Sequence, residues 1–204
     1  NYLGWEIPKY EKQITNKKII VFNHRPHKYK NYDWFLKQMD RLWEIRQDFE
    51  VWIPLWDTKF TEKLKWLNTD KFDKEGYYRK LQTCRVGFSP EQTYGGWSVA
   101  TTDGLMNGCP FIMYDADYYK ELNPTADFFS TKDEAVDLLN LYLSNPEHRM
   151  EMIRKGQQHL REHLWEDEML RMGGDIQAIM KAYHQTHSAI TDKLIARIKQ
   201  EGCI

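Results

Sequence analysis

Short apolar runs alternate with longer helical patterns along most of the chain, and this alternation restricts the possible folds more than any other sequence feature. Each run is rich in β-branched or aromatic residues and is followed by turn residues, which is typical of a buried strand. Five predicted strands result: 18–23, 49–55, 85–89, 110–114 and 127–129. Strands that alternate with helices predict a Rossmann-like parallel α/β sheet flanked by helices, here followed by a helical C-terminal tail.

Helical patterns fill most of the remaining sequence. Asp33 is expected to cap a first helix, Gly108 to end another, and Thr131 to begin a third with a capping box. Residues 57–73 are charged and predict a loop. The other predicted helices span 75–83, 97–107, 146–163, 166–184 and 190–201.

The predicted organisation has three parts: a linker over 1–17, a Rossmann-like domain over 18–186 and a tail over 187–204. Asn1 is not an initiator residue, so we expect a fragment of a longer protein, with the linker following a missing N-terminal domain. The tail is expected to be a packing helix, with the start of a further module as the alternative. No run of about 18 apolar residues occurs, and no signal-peptide pattern is present at the N-terminus. A cytoplasmic location is therefore expected.

The cysteines agree with a reducing compartment, because Cys84, Cys109 and Cys203 are odd in number and far apart. Cys84 and Cys109 lie beside predicted strands, where buried free thiols are expected. The net charge of -1 combines a mildly basic first 85 residues with an acidic remainder. No dense Lys/Arg stripe occurs that would indicate nucleic-acid binding.

Three segments fall at the carboxyl ends of predicted strands, where open α/β sheets bind ligands. Arg25 and Lys30 follow the first strand, and two cations at this spacing can converge on one anion. Gly95 and Gly96 open a helix, which allows backbone N–H groups to approach a phosphate. Asp103 lies one turn into that helix and can accept hydrogen bonds from sugar hydroxyls. Taken singly, each is also typical of an ordinary turn or connection.

The order of these segments resembles the C-terminal, nucleotide-sugar-binding domain of retaining GT-B glycosyltransferases of the group 1 type. That family carries an Arg-x4-Lys pair after the first strand, matched here by Arg25 and Lys30 with Asn31 following. The stretch GGWSVATTDGLMNGCPFI overlays the family's glycine-rich loop, helix and Gly-x-Pro, and Asp103 stands at the second acidic position. The resemblance covers residues 18–165.

The resemblance implies a glycosyltransferase part that binds a nucleoside-diphosphate sugar and needs neither a metal nor another cofactor. The Arg–Lys pair is the catalytic element, since it stabilises the leaving diphosphate, and Asp103 binds ribose. In place of the family's first glutamate stands Gly95, for which Glu91 is a candidate substitute. The predicted donor-binding residues are His24, Arg25, Lys30, Asn31, Leu55, Trp56, Glu91, Gly95, Gly96, Trp97, Ser98 and Asp103.

The acceptor, expected to bind an N-terminal GT-B domain outside this chain, is a glycan, lipid, protein or modified DNA. Two alternatives remain open. Asp115 and Asp117 follow a predicted strand as a D-x-D pair, which is typical of metal-dependent GT-A transferases. The α/β unit can also be a non-catalytic interaction domain.

Overall fold

The computed structural model describes residues 16–25, 27–56, 64–94, 98–162 and 165–200. The chain divides into two compact units, one over Ile7–Glu162 and one that joins Asn1–Glu6 to His163–Ile204. The predicted boundary at 186–187 falls inside the long helix of the second unit. The linker lies mostly outside the described residues, and the roles of linker and tail stay predictions.

Six parallel strands form one sheet in the first unit, in the order β3-β2-β1-β4-β5-β6. Val21 of β1 pairs with Trp52 of β2 and with Gly87 of β4. This order and the flanking helices confirm the predicted Rossmann-like fold. The strands are β1 Ile19–Val21, β2 Glu50–Trp52, β3 Leu67–Asn68, β4 Val86–Ser89, β5 Phe111–Tyr114 and β6 Asp127–Phe129.

Seven helices occur among the described residues, and a single 3-10 turn, Lys28–Lys30, precedes the first of them. None of these helices is both long and apolar enough to cross a membrane. The helices are α1 Tyr32–Ile45, α2 Lys74–Thr83, α3 Val99–Met106, α4 Asp117–Leu122, α5 Lys132–Ser144, α6 Pro146–Arg161 and α7 Trp165–Gln200.

Several local predictions were wrong. The segment 57–73, predicted as a loop, contains β3, whose two residues are too few to show a periodic pattern. Asp33 does not cap α1: Asn31 precedes the helix, and Asp33 lies in the first turn, where its charge favours the helix dipole. Residues 185–189 contain no proline or glycine, so α7 continues where two helices were predicted.

The terminal signals of α5 and α3 were correctly predicted. The Thr131 hydroxyl accepts a hydrogen bond from the Glu134 backbone N–H, and the Glu134 carboxylate accepts one from the Thr131 backbone N–H, which completes the capping box. Gly108 follows α3 with φ at 73°, a left-handed conformation that glycine adopts without strain.

Side chains that alternate along the central strands divide the interior into two faces. On one face, Phe22 stacks on Phe35 of α1 with ring centroids 4.4 Å apart, and Phe88 lies 5.1 Å from Phe35. We call this side the α1/α5 face, since buried side chains of both helices complete it. The other side, the α3 face, includes Gly87, Ser89 and Phe111.

Helix α3 approaches the sheet closely through two glycines. A Cβ atom added at Gly104 of α3 would lie 2.0 Å from the Phe111 ring, and one added at Gly87 of β4 would lie 2.2 Å from it. Phe111 therefore fills the space that side chains at these two positions would need. This packing fixes the position of α3 and of the polar residues that it carries.

Candidate functional site

The site lies at the carboxyl ends of β1 and β4, the two neighbouring strands at the centre of the sheet. The chain leaves β1 towards α1 on one face and leaves β4 towards α3 on the other. This divergence opens a crevice at the topological switch point, which is where open α/β sheets bind ligands. The segments after these two strands carry most of the predicted site residues.

Lys30 ends the 3-10 turn that follows β1, and it is held against the loop after β4. Its Nζ donates a hydrogen bond to Gln92 Oε1, and the backbone N–H of Thr93 donates to the carbonyl of Tyr29 at 3.1 Å. Asn31 then adopts a left-handed conformation with φ at 50°, so the chain can turn directly into α1. The turn is thus attached to both central strands.

Gln92 and Tyr119 support Lys30, although neither was predicted. The Gln92 amide nitrogen donates to the Tyr119 hydroxyl, which in turn donates to the Pro90 carbonyl at 3.0 Å. Burial raises the pKa of Tyr119, so this hydroxyl keeps its proton. The lysine ammonium therefore faces an oriented acceptor.

Lys30 and Arg25 concentrate positive charge at this edge of the sheet. Partial burial lowers the pKa of Lys30, and repulsion from Arg25 lowers that pKa further. Arg25 is exposed, so its guanidinium remains accessible. Because each cation destabilises the other, an anion placed against both would relieve the repulsion.

His24 joins the end of β4 to the start of α3. The imidazole is 2% exposed, with Nε2 3.3 Å from Ser89 Oγ and Nδ1 3.4 Å from Ser98 Oγ. Burial, reinforced by the nearby Lys30 charge, lowers the pKa of His24 to about 3, so the ring is neutral near pH 7. Ser98 caps α3 by accepting a hydrogen bond from the Thr101 backbone at 3.3 Å. His24 therefore fixes the position of the α3 N-terminus.

Asp103 occupies the second turn of α3 and faces α2. Tyr77 of α2 donates a hydrogen bond to Asp103 Oδ2 at 3.3 Å, and Asn23 donates to the Tyr77 hydroxyl at 2.8 Å. Burial raises the pKa of Asp103 to about 6, although Tyr77 and Lys74 oppose this shift. Asp103 is thereby linked to the residue that precedes His24.

Two other predicted residues, Asn31 and Glu91, line a neighbouring cleft of about 320 Å³. This cleft lies beyond Lys30, at the carboxyl ends of β4, β5 and β6. Glu91 is exposed and not held at the Arg25–Lys30 turn by any contact among the described residues. The cleft is also lined by Trp34, Tyr114, Ser130 and Lys132.

The remaining predicted residues follow β2 or stand between β4 and α3 in the sequence. Leu55 is 53% exposed, whereas Trp56 is buried and lies edge-on to Tyr32 with ring centroids 6.1 Å apart. Trp56 thus belongs to the core near the end of β2. Gly95, Gly96 and Trp97 lie outside the described residues, and their roles stay predictions.

Asp115 and Asp117, the acidic pair after β5, both contribute to the local structure. Asp115 forms an ion pair with Lys120, and Asp117 begins α4. Within the described ranges, no group of three or more His, Cys, Asp or Glu side chains is arranged to hold a metal ion. Cys84 and Cys109 are buried free thiols, as predicted.

Comparison with family models assigns residues 25–172 to the family described as glycosyl transferase-like. This match begins at Arg25 and includes Lys30, Asp103 and the elements from α1 to α6, whereas β1 precedes it. The chain belongs to the glycosyl transferase-like family. Its predicted class, a transferase, is therefore confirmed at the level of the family. None of the curated proteins matches the sequence significantly.

Solved structures resemble this member of the glycosyl transferase-like family in fold. The α,α-trehalose 6-phosphate synthase from Burkholderia multivorans has a TM-score of 0.68 at 10% identity, over 82% of this chain and 44% of its own. Sucrose-phosphate synthase from Thermosynechococcus elongatus has a TM-score of 0.68 at 12% identity, over 82% of this chain and 46% of its own. TarM has a TM-score of 0.70 at 12% identity, over 84% of this chain and 37% of its own.

The chain spans less than half the length of each of these three structures. Together with the strand order, the matches confirm the predicted resemblance to the C-terminal domain of GT-B glycosyltransferases. At these identities the likeness concerns the fold.

Proposed function

We propose that this chain is the donor-binding half of a GT-B glycosyltransferase and binds a nucleoside-diphosphate sugar for transfer to an acceptor. The observation that carries the proposal is the convergence of Arg25, Lys30 and the α3 N-terminus on the switch point of the sheet. Membership of the glycosyl transferase-like family supports the same reading.

Arg25 and Lys30 are proposed to bind the diphosphate and to act in catalysis. Negative charge accumulates on the diphosphate as the glycosidic bond breaks, so cations fixed beforehand stabilise the transition state more than the ground state. Gln92 holds the Lys30 ammonium in place before the donor arrives. Burial and repulsion from Arg25 lower the pKa of Lys30, and an anion bound against both cations would offset these effects.

The α3 N-terminus is proposed to face the phosphates, with Gly95, Gly96, Trp97 and Ser98 supplying backbone N–H groups. The positive end of a helix favours a phosphate there, and His24 holds Ser98 in place without adding charge.

Asp103 is proposed to bind ribose hydroxyls in the same site. Glu91 and Asn31 are assigned to the donor-sugar side, and Leu55 and Trp56 to the base.

The acceptor is proposed to bind an N-terminal domain in the full-length protein, and transfer is proposed to need no metal. We also propose that the protein is cytoplasmic, where nucleotide sugars can reach the site. Isolated, this chain should bind donor weakly and transfer little sugar.

Isothermal titration with a panel of UDP-, GDP- and ADP-sugars tests the proposal. At least one donor should bind, and an Arg25→Ala/Lys30→Ala variant should bind it about tenfold or more weakly, because charge-assisted hydrogen bonds are lost. Lys28→Ala is the matched control: Lys28 is exposed in the same turn, and its removal should change affinity by less than about twofold.

Two results would favour the alternatives. Donor binding that requires Mn²⁺ and is abolished by Asp117→Ala would indicate a metal-dependent site at Asp115 and Asp117. Absence of binding to every nucleotide sugar in the panel would contradict the proposal and favour a non-catalytic interaction domain.

A further inference from the structure

Three polar side chains from three different segments form a directed chain of hydrogen bonds that ends on Asp103. Asn23 follows β1, Tyr77 lies in α2 and Asp103 lies in α3. Asn23 Nδ2 donates to Tyr77 Oη at 2.8 Å, and Tyr77 Oη donates to Asp103 Oδ2 at 3.3 Å. Neither Asn23 nor Tyr77 belongs to the Arg-x4-Lys or glycine-rich motifs.

The direction of this chain is fixed by its first member. Asn23 Nδ2 also donates to the carbonyl of Ala100 at 2.6 Å, and a carbonyl oxygen can only accept. The amide therefore presents its N–H₂ group to Tyr77. Because the Tyr77 oxygen accepts from Asn23, its own proton is directed to the carboxylate of Asp103.

Tyr77 is held firmly and stays protonated. Its ring packs against Trp52 with centroids 5.8 Å apart, and it is linked to buried Asn23, which is 3% exposed. Burial and the nearby charge of Asp103 both raise the pKa of Tyr77, so the hydroxyl remains a donor throughout the physiological range.

Asn23 carries a buried polar atom without a hydrogen bond. Its Oδ1 is buried and accepts no hydrogen bond from the described residues. Buried acceptors left in this state destabilise a fold, and they are found preferentially where a polar side chain serves a site. The amide nitrogen of Asn23 is fully used by the Ala100 carbonyl and the Tyr77 hydroxyl, so this side chain fixes the orientation of Tyr77.

Asp103 gains a defined geometry from these contacts. An ionised carboxylate has about four acceptor positions, of which Tyr77 occupies one on Oδ2. No other side chain or backbone group among the described residues donates to this carboxylate, so Oδ1 and the second position on Oδ2 can accept from two hydroxyl donors. Two adjacent hydroxyls, as on a ribose ring, match this arrangement.

We propose that Asn23 and Tyr77 are positioning residues that orient the Asp103 carboxylate and favour its ionised form, so that recognition of a vicinal diol depends on loss of the Asp103 proton. This inference rests on the proposed function, since the diol is the ribose of the donor. Among the described residues, the titratable groups that face Asp103 are Tyr77 and Lys74, both from α2.

The expected pH dependence follows from the charge of Asp103. The protonated carboxyl offers one acceptor fewer and carries no charge, so donor binding is weak below the pKa of about 6 and strengthens above it. The Tyr77 hydrogen bond lowers this pKa. Its loss should raise the midpoint by about one pH unit.

The experiment compares wild-type protein, Tyr77→Phe and Tyr142→Phe. Tyr142 is the matched control, because it is a buried tyrosine that donates to Asp127 at 2.8 Å on the α1/α5 face. The Asp103 carboxyl carbon is titrated by NMR in each protein, and the affinity for the UDP-, GDP- or ADP-sugar that binds the wild type is measured between pH 5 and 8.

Tyr77→Phe should shift the Asp103 titration and the affinity midpoint upward together, whereas Tyr142→Phe should shift neither. A wild-type Asp103 that titrates near pH 4, or a midpoint unchanged in Tyr77→Phe, would overturn the inference. The NMR titration needs no ligand. Failure of the wild type to bind any nucleotide sugar would therefore count against the proposed function, while the carboxylate result would still decide the role of Tyr77.

Discussion

The two faces of the sheet are built from different kinds of residue. On the α1/α5 face, Phe22 and Phe88 pack against Phe35 in a continuous aromatic cluster. On the α3 face, the neighbouring strand positions are Gly87 and Ser89, and the Ser89 hydroxyl lies 2.7 Å from the Thr101 hydroxyl of α3. Adjacent residues of the same strand thus contribute to two faces of different composition.

The difference shows how stability and recognition are separated in this domain. Burial of large rings supplies the hydrophobic stabilisation on one face. Small and polar residues on the other face allow α3 to approach the sheet, which brings Ser98 and Asp103 to the carboxyl ends of β1 and β4. Substitutions of Phe22, Phe35 or Phe88 on the first face should affect folding alone, and those on the second face should affect both folding and the site.

Phe88→Ala should have the largest effect on stability. Phe88 is fully buried, and loss of its ring should lower the free energy of unfolding by about 3–5 kcal/mol. Urea denaturation measures this change. Ile45→Ala, at a position 64% exposed, should cost less than about 0.5 kcal/mol. Equal losses in the two variants would contradict the importance assigned to the aromatic cluster.

Gly104→Ala tests the close approach of α3 to the sheet. The added methyl group would overlap the Phe111 ring, so we expect a loss of about 1–3 kcal/mol in the free energy of unfolding. A Gly104→Ala/Phe111→Leu double variant should recover part of this loss, since the smaller side chain makes room. Additive losses in the double variant would show that the contact does not limit the packing of α3.

His24 should make stability on the α3 face depend on pH. In the folded protein the pKa of His24 is lowered to about 3, whereas an unfolded histidine takes up a proton below about pH 6.5. The unfolded state therefore binds more protons, and stability falls as the pH decreases from about 6.5 towards 3. Between pH 6.5 and 5 the contribution of His24 to the free energy of unfolding should fall by roughly 1–2 kcal/mol. Asp103, whose pKa is raised to about 6, acts in the opposite direction over the same interval and offsets part of this loss.

Thermal unfolding at a series of pH values would measure this dependence. His24→Asn should make stability between pH 6.5 and 5 higher relative to the wild type, by the lost His24 contribution, whereas His27→Asn, at an exposed position of the same turn, should leave the wild-type profile unchanged. An unchanged profile in His24→Asn would mean that another group controls the acid sensitivity.

Much of the fold could be predicted because its strands have strong local signals. The runs that became β1 and β5 are nearly continuous apolar segments followed by turn residues, and Gly108 and Thr131 have recognisable terminal roles. β3 and α4 were not recognised, since two and six residues are too few to show periodicity. Pairing with β2 stabilises β3, which is a tertiary effect.

The site could be predicted where motif order carried the information, as for Arg25, Lys30 and Asp103. Gln92 and Tyr77 could not be predicted in the same way. Gln92 meets Lys30 across 62 residues of sequence, and Tyr77 meets Asp103 across 26. Their roles arise from the fold itself, and nothing in their local sequence distinguishes them from ordinary loop and helix residues.

A crystal structure of the chain with a bound nucleoside diphosphate would test the central claim most directly. The account predicts phosphate oxygens within about 3 Å of the Arg25 guanidinium and the Lys30 ammonium, and ribose hydroxyls on Asp103. A nucleotide bound elsewhere, for example with its phosphates at Lys132 in the neighbouring cleft while Arg25 and Lys30 make no contact with it, would contradict the account.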